Sequence, residues 1–538
     1  MGGEVILTFL RGLLCAAMLL AVFLVHKALG QAQQQPANVP TFQVTSTLVF
    51  LDVTVLDKQG HPVVTGLTKD DFAITEDKKP QRIFSFEAPE THVVGNAAGD
   101  NPDGNAPIAI FVVDELNSEF SDFAFIRYSL RRYLQAQPAQ LTSPAELLVV
   151  GNQSLEMLQG YTRSRADMLY ALDHLPAALP YKKMNGSFFW ERFGQSVDAL
   201  QQIALQNKGV PGRKNIVWVG HGGPGIYLDP VELPGNLIPE LTNYMHTTTN
   251  MLVDARISLF VIYPGLKVND ANLSLSALDS DAILGDSDPF AGDINFGVFV
   301  NETGGKLYFN RNDVDKLIAR SQQLGSEYYT LTYQPEDVAN DGKFRRIRVT
   351  LRNPNLRVVT KAGYFAPDKN QPVSAPQQSM INLAESARST IPFSALGVEL
   401  TPIARHPDSR SAELRVQVDG KNLDWIATDD GKSAARLMVA AVSLDGNQKF
   451  LASRIERVAI QSVIQDPARR AEALNVLQLT VRVPQKTQSV RVVVETDPGG
   501  RIGTAALDRK VIDASPATPS PEPNLAPHRP DYVRPATP

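Results

Sequence analysis

The stretch Phe111-Val112-Val113-Asp114-Glu115-Leu116-Asn117-Ser118 (FVVDELNS) decides how this chain is read. It closes an unbroken apolar run that opens at Pro107, PIAIFVVD. A strand with one wet face alternates apolar and polar residues, whereas a continuous run bounded by Pro and Asp suits a strand covered on both faces. The apolar run ends directly in a carboxylate, and polar side chains follow at short spacing. Asp114 therefore has two readings. It is a ligand at the tip of a central strand, or it closes the strand by capping the next helix or bonding a neighbouring glycine loop.

Working outward, residues 107–322 repeat the rhythm. FAFIRYSLRRYLQAQ spaces Phe123, Ile126, Leu130 and Leu134 along one side of a helix. AELLVVGN, KNIVWVGHGG and RISLFVIYPG read as further buried strands, with ADMLYALDHL, FGQSVDALQQIALQN and ELTNYMHTTTNMLVDA as helices between them. GGKLYFN and DVDKLIARSQQLG finish the series. Buried strands alternating with amphipathic helices predict a doubly wound, mostly parallel sheet. Ligands of such sheets gather at the carboxyl ends of the strands, where the strand order reverses, so Asp114 stands where a site belongs.

The flanks are all-β. Residues 42–93 and 323–366 are rich in short alternating strands and lie on either side of the α/β region, which predicts one β-module with the α/β domain inserted in it. Residues 367–392 read as a Pro/Gln/Ser linker. AELRVQVDG, ARLMVAAVSLD, VLQLTVRVP and SVRVVVETD predict a β-sandwich over 393–513, and residues 514–538 a Pro-rich disordered tail. The expected class is thus multidomain, α/β plus all-β. A total of 538 residues is too long for one core in any case.

Residues 1–30 read as a signal peptide: Arg11, the apolar run GLLCAAMLLAVFLV, then Ala28-Leu29-Gly30 with small residues at the spacing a signal peptidase takes. Residues 31–41 are a spacer. Export to the periplasm or exterior is expected, and an uncleaved leader acting as an anchor is the other reading and the one route to a membrane. The single cysteine, Cys15, lies in the leader, so the remaining chain holds no disulfide or thiolate metal site. A net charge of -5 gives no electrostatic footprint for nucleic acid.

Enzyme signatures fail one by one. The histidines lack His-Glu-x-x-His spacing, and no Gly-x-Ser-x-Gly elbow precedes a helix. Gly220-His221-Gly222-Gly223-Pro224-Gly225 lacks the Lys-Ser/Thr of a phosphate loop and reads as a place of close backbone approach. A non-enzyme is expected. The stretch 269–296 carries Asp270, Asp279, Asp281, Asp286, Asp288 and Asp293 with no Lys or Arg. Those carboxylates suit a cation, a basic partner or plain solvation.

FVVDELNS at the head of an α/β domain resembles the first loop of a von Willebrand factor A domain. That family holds Mg²⁺ or Mn²⁺ through an Asp-x-Ser-x-Ser loop, a Thr from a second loop and an Asp from a third. A closer resemblance is to the VWFA-related family known mainly from acidobacterial genomes. It rests on GLTKDDFAITEDKKPQRIFSFE, GRKNIVWVGHGG, EYYTLTYQP, RRIRVTLRNPNLRVVTKAGYF and GRIGTAALD. Carried over, the resemblance gives Asp114, Ser118, Ser196 (with Ser187 as the other choice) and His221 as metal positions. Leu116 stands where a ligating Ser is usual and His221 near the usual Asp, so affinity for Mg²⁺ or Mn²⁺ is expected to be weak or absent. The resemblance implies an exported recognition or adhesion protein with an as yet unidentified protein partner. The alternative is a non-adhesive structural or assembly accessory of the bacterial envelope with no metal site.

Overall fold

The computed structural model describes residues 48–92, 105–152, 154–175, 189–223, 237–264, 288–290, 296–309, 311–336, 339–369, 375–428 and 430–519. The leader, the spacer, Ser187, most of the acidic stretch and the tail beyond 519 lie outside them. No described helix is long and apolar enough to cross a membrane.

The chain opens with four strands, β1 (Val49–Leu56), β2 (Phe72–Glu76), β3 (Lys79–Gln81) and β4 (Ile83–Glu87). The α/β region follows: β5 (Ile108–Asp114), α1 (Phe120–Gln135), β6 (Gln140–Val150), β7 (Leu155–Ser164), α2 (Arg165–Asp173) and α3 (Phe189–Gln206). It continues with β8 (Lys214–Val219), α4 (Leu237–Asp254), β9 (Ile257–Tyr263), α5 (Phe296–Glu302), β10 (Lys306–Phe309) and α6 (Val314–Ser326). Four more strands come next, β11 (Tyr329–Tyr333), β12 (Phe344–Leu351), β13 (Arg357–Val359) and β14 (Gly363–Phe365).

The central sheet has the order β10-β9-β8-β5-β6-β7. Every neighbouring pair is parallel except β6 with β7, which is antiparallel. Successive side chains on a strand point to opposite faces, and β5 shows what that achieves. Ile108, Ile110 and Val112 enter a core with α3 and α4, while Ala109, Phe111 and Val113 enter a second core with α1, α2 and α6. A strand covered on both faces favours apolar residues along its length, which explains the run that stops at Asp114. β7 escapes the sequence pattern because it is a half-exposed edge without a buried run.

Strands from both sides of the α/β region share two antiparallel sheets, β13-β1-β11-β4 and β14-β12-β2-β3, packed around Leu51, Val53, Ile74, Leu331, Tyr333 and Ile347. A buried polar clamp fastens this module to the base of the central sheet. Arg256 grips Asp52 through Nε (3.1 Å) and Nη2, and Arg213 bonds Thr54 Oγ1 (2.8 Å) and Ser258 Oγ (2.9 Å). Burial alone would raise the Asp52 carboxyl, yet Arg256, Arg213 and Thr330 together hold it below the usual carboxylate range.

Two boundaries need correction. Within the expected linker 367–392, residues Ala375–Arg388 form a helix, α7. Its Leu383 and Ala387 join one continuous core with Leu200 and Ile203 of α3 and with Ala440 and Val493 of the C-terminal sheets. Pro and Gln at its start disguise it, because a four-turn helix needs only a narrow apolar stripe to be held between two larger bodies. Residues 514–519, assigned to the disordered tail, run along strand β15 (Val398–His406), with Arg405 N donating to Pro516 O and Thr518 N to Arg405 O.

β15 pairs with β16 (Ser411–Asp419), which pairs with a strand over Leu474–Arg482. The second C-terminal sheet contains strands over Ile426–Ala427, Ser433–Leu444, Phe450–Ser462, Ser489–Asp497 and Ile502–Asp508. Leu414, Val416, Val439, Leu479 and Val492 fill the space between the two sheets.

Two outcomes are expected from this packing. Leu383→Ala should cost about 2–5 kcal/mol in urea unfolding, the usual range for emptying a fully buried aliphatic position. Glu146 lies buried on β6 with Gln206 Nε2 at 2.9 Å from its Oε2, and burial pushes its carboxyl up to about 8. The folded state then holds a proton that the unfolded chain releases near 4.5, so this contribution is complete below about 4.5 and is lost as the pH rises to about 8. Urea midpoints at pH 5 and pH 8.5 should fall for the native chain, and Glu146→Gln should shrink the fall.

Candidate functional site

One step beyond the printed register of β5 with β8, where Val113 faces Val219, Asp114 meets Gly220. This is the switch point of the sheet: the chain passes from β5 to β6 on one side and reaches β8 on the other. Gly220 has φ +144, and a Cβ there would lie 2.3 Å from Asp114 Cβ. Only glycine lets the two strand ends sit side by side.

Asp114 is fully buried and its carboxylate is surrounded by N–H donors. Oδ1 accepts from the Asn117 backbone amide (2.9 Å) and from Asn117 Nδ2 (3.1 Å). Oδ2 accepts from Trp218 Nε1 (3.0 Å) and from the Gly222 backbone amide (2.8 Å). Asn117 Nδ2 also donates to Ser196 Oγ at 3.0 Å, and Arg192 Nε donates to Asn117 Oδ1 at 3.1 Å. Ser196 Oγ in turn donates to Arg192 O, one turn back on α3.

Of the residues singled out from sequence, Asp114, Ser118 and Ser196 converge here. Ser118 Oγ is buried without a hydrogen-bond partner and lies 3.1 Å from the point a Gly220 Cβ would occupy. His221 follows Gly220, its Nδ1 3.2 Å from Gly223 O and its ring edge-on to Tyr263. Leu116 is buried and apolar. Asp288 bonds His246 Nε2 at 2.6 Å, while the other aspartates of the acidic stretch lie outside the described residues.

These residues do not fit a Mg²⁺ or Mn²⁺ ion. A carboxylate offers about four lone-pair positions, and four N–H groups take them. The Asn117 amide stands between Asp114 and Ser196 and points hydrogens at both oxygens, where a cation would have to draw on those same lone pairs. Among the described residues, no three His, Cys, Asp or Glu side chains gather as a metal site. From sequence, Asn117 counted only among the polar side chains after Asp114, and Trp218 and Arg192 were missed altogether. An amide can present either end, and a Trp inside an apolar strand looks like core. Its register beside Val112, two residue pairs before Asp114, is the signal that links it to the site.

Phe120, at the start of α1, is 60% exposed, and Glu119 beside it is exposed too. Asp122 is raised by burial and further by Glu119, with His221 working the other way.

No protein-family model matches the chain, and no curated protein matches it. Among solved structures, the crystal structure of the SpRpn10 VWA domain is similar at 15% identity over 41% of this chain and 97% of that chain, with a TM-score of 0.23.

Removing the carboxylate strands the indole N–H and the Gly222 amide in the interior. At about 1–3 kcal/mol for each unsatisfied buried donor, Asp114→Ala should destabilise the chain by roughly 2–5 kcal/mol. Chelation of metal ions should leave the thermal midpoint of the native chain unchanged.

Proposed function

We propose that the α/β region is a recognition domain of the von Willebrand A class, carried by an exported, non-enzymatic protein and binding a protein partner without a metal ion. The observation that carries this reading is the closed set of N–H donors on Asp114 at the sheet's switch point. In the family that the loop resembles, the Asp and Ser oxygens hold an ion. Here the Asn117 amide supplies the positive end that an ion would supply, and the loop is held in one shape from within. What the loop then offers is its rim. Phe120 is an exposed aromatic anchor, and Glu119 and Asp122 flank it with negative charge. Aromatic anchors dominate the energetics of protein interfaces, and flanking charges steer the partner. The fitting partner presents an apolar pocket next to lysine or arginine. Recognition or adhesion in the periplasm or outside the cell follows from reading residues 1–30 as a signal peptide.

Two measurements test the proposal. Calorimetric titration with Mg²⁺, Mn²⁺ and Ca²⁺ should give no saturable heat. Binding tighter than about 1 mM, equivalent to about 4 kcal/mol, and abolished by Asp114→Ala, would restore a metal mechanism. A photo-reactive residue at position 121 should cross-link one host protein in the presence of a chelator. That adduct should vanish when Phe120→Ser and Glu119→Lys are introduced. An adduct that needs divalent metal, or that survives both substitutions, would overturn the assignment of this face.

A further inference from the structure

At the β10 edge of the central sheet, a cavity of about 960 Å³ lies between the α/β region and the β-module. Its charge is lopsided. Alternation along β12 puts Arg346 and Arg348 on the same side of that strand, Arg357 comes from β13, Lys306 from β10, and Lys361 from the segment before β14. Glu302, at the end of α5, is the one carboxylate among the lining residues. Arg213 and Arg320 also reach the wall, but their guanidinium groups are engaged by Thr54 and Ser258 and by Gln323 and the Gly60 carbonyl. Among the described residues, Lys306, Arg346, Arg348, Arg357 and Lys361 form no salt bridge.

Crowding like charges into one hollow costs stability unless something of opposite sign enters it. Lys306 shows the strain: burial lowers it, and Arg320 and Arg357 lower it further. The cavity walls also hold polar atoms with nothing to bond. Glu302 is 5% exposed and its Oε2 is buried without a partner, as are Arg346 Nε and Thr360 Oγ1. Buried polar groups are almost always hydrogen-bonded, so three orphaned ones on one cavity mark a place where a bound molecule completes the set. Burial lifts the Glu302 carboxyl to about 7 although Arg346 opposes it, so near neutrality it can donate to an oxyanion as well as accept. The cavity's size is that of a site for a small molecule.

We propose that this cavity binds a small polyanion bearing two or more phosphate or carboxylate groups. Arg348, Arg357 and Lys306 are exposed and meet it at the mouth, and Arg346, Lys361 and Glu302 hold it deeper in. This proposal is independent of the Asp114 face and stands or falls without it.

Calorimetric titration of the full chain with tripolyphosphate, and separately with citrate, tests the proposal. At least one should bind saturably, one per chain, and weaken as salt is raised. Arg348→Ala and Arg357→Ala should each weaken it at least about tenfold, in line with the loss of a charge-assisted hydrogen bond. Arg415→Ala, an exposed change on β16, should leave it alone. Tripolyphosphate alone would assign a phosphate ligand, citrate alone a polycarboxylate, and both a site that reads charge density. Absence of saturable heat with either probe at low salt would overturn the proposal, as would equal weakening by Arg415→Ala. Thermal melts measured alongside guard against a misfolded variant: without probe all three variants should melt cooperatively near the native chain, and the probe should raise the melting temperature of the native chain and of Arg415→Ala by more than that of the other two.

Discussion

The carboxylate of Asp114 gathers a backbone amide from its own loop, an asparagine side chain, the Trp218 indole and the amide of Gly222, and the carboxyl end of the sheet is organised around that gathering. A lone ionised group in such a place would be prohibitively costly, and four directed N–H dipoles are what make it tolerable. Two of the donors belong to Asn117 and two to the end of β8 and the loop after it, so satisfying the carboxylate also fixes the β5 loop against the β8 loop, and Asn117 ties both to α3 through Ser196. The constraint runs backwards into the sequence. It demands glycine at 220, where any side chain would collide with Asp114.

A second buried charge performs the corresponding task at the other end. Asp52 belongs to the β-module, Arg256 and Arg213 to the α/β region, and their bonds fasten two bodies that also meet where Phe365 packs on His246 and bonds Asn250. Removing one partner of such a group leaves an uncompensated ion in the interior, which is far worse than never having built the pair. The basic cavity lies on the same seam, which gives the junction of the two bodies a chemistry of its own.

Much of this was legible because burial on both faces leaves a distinctive mark. PIAIFVVD, KNIVWVGHGG and RISLFVIYPG could be read as central strands, and the position of Asp114 at a strand tip followed. β7 left no mark, since an edge strand with half-exposed residues resembles a loop. Helix α7 was hidden by its Pro and Gln residues, and its stripe of Leu383 and Ala387 has meaning only when two other bodies flank it. At the site, Asp114, Ser118 and Ser196 were readable, whereas Trp218, Arg192 and the polarity of Asn117 were not. Asn117 carries both a donor and an acceptor, and which end faces Asp114 depends on Ser196 and Arg192, distant in sequence. Pairings such as Val53 with Tyr329 leave no local trace at all.

The insertion also sets how the molecule bears mechanical load. The chain enters the α/β region near Asn105 and leaves it near Tyr328, and the Tyr328 hydroxyl donates to the Asn105 carbonyl at 3.1 Å. Just outside that gate, β4 lies hydrogen-bonded to β11, with Glu87 opposite Thr330. Tension drawn along the backbone therefore crosses from β4 to β11 through their ladder and passes the inserted region by. A partner tugging on the flanking modules would stretch the β-module first, and the Asp114 face would keep its shape until that ladder sheared.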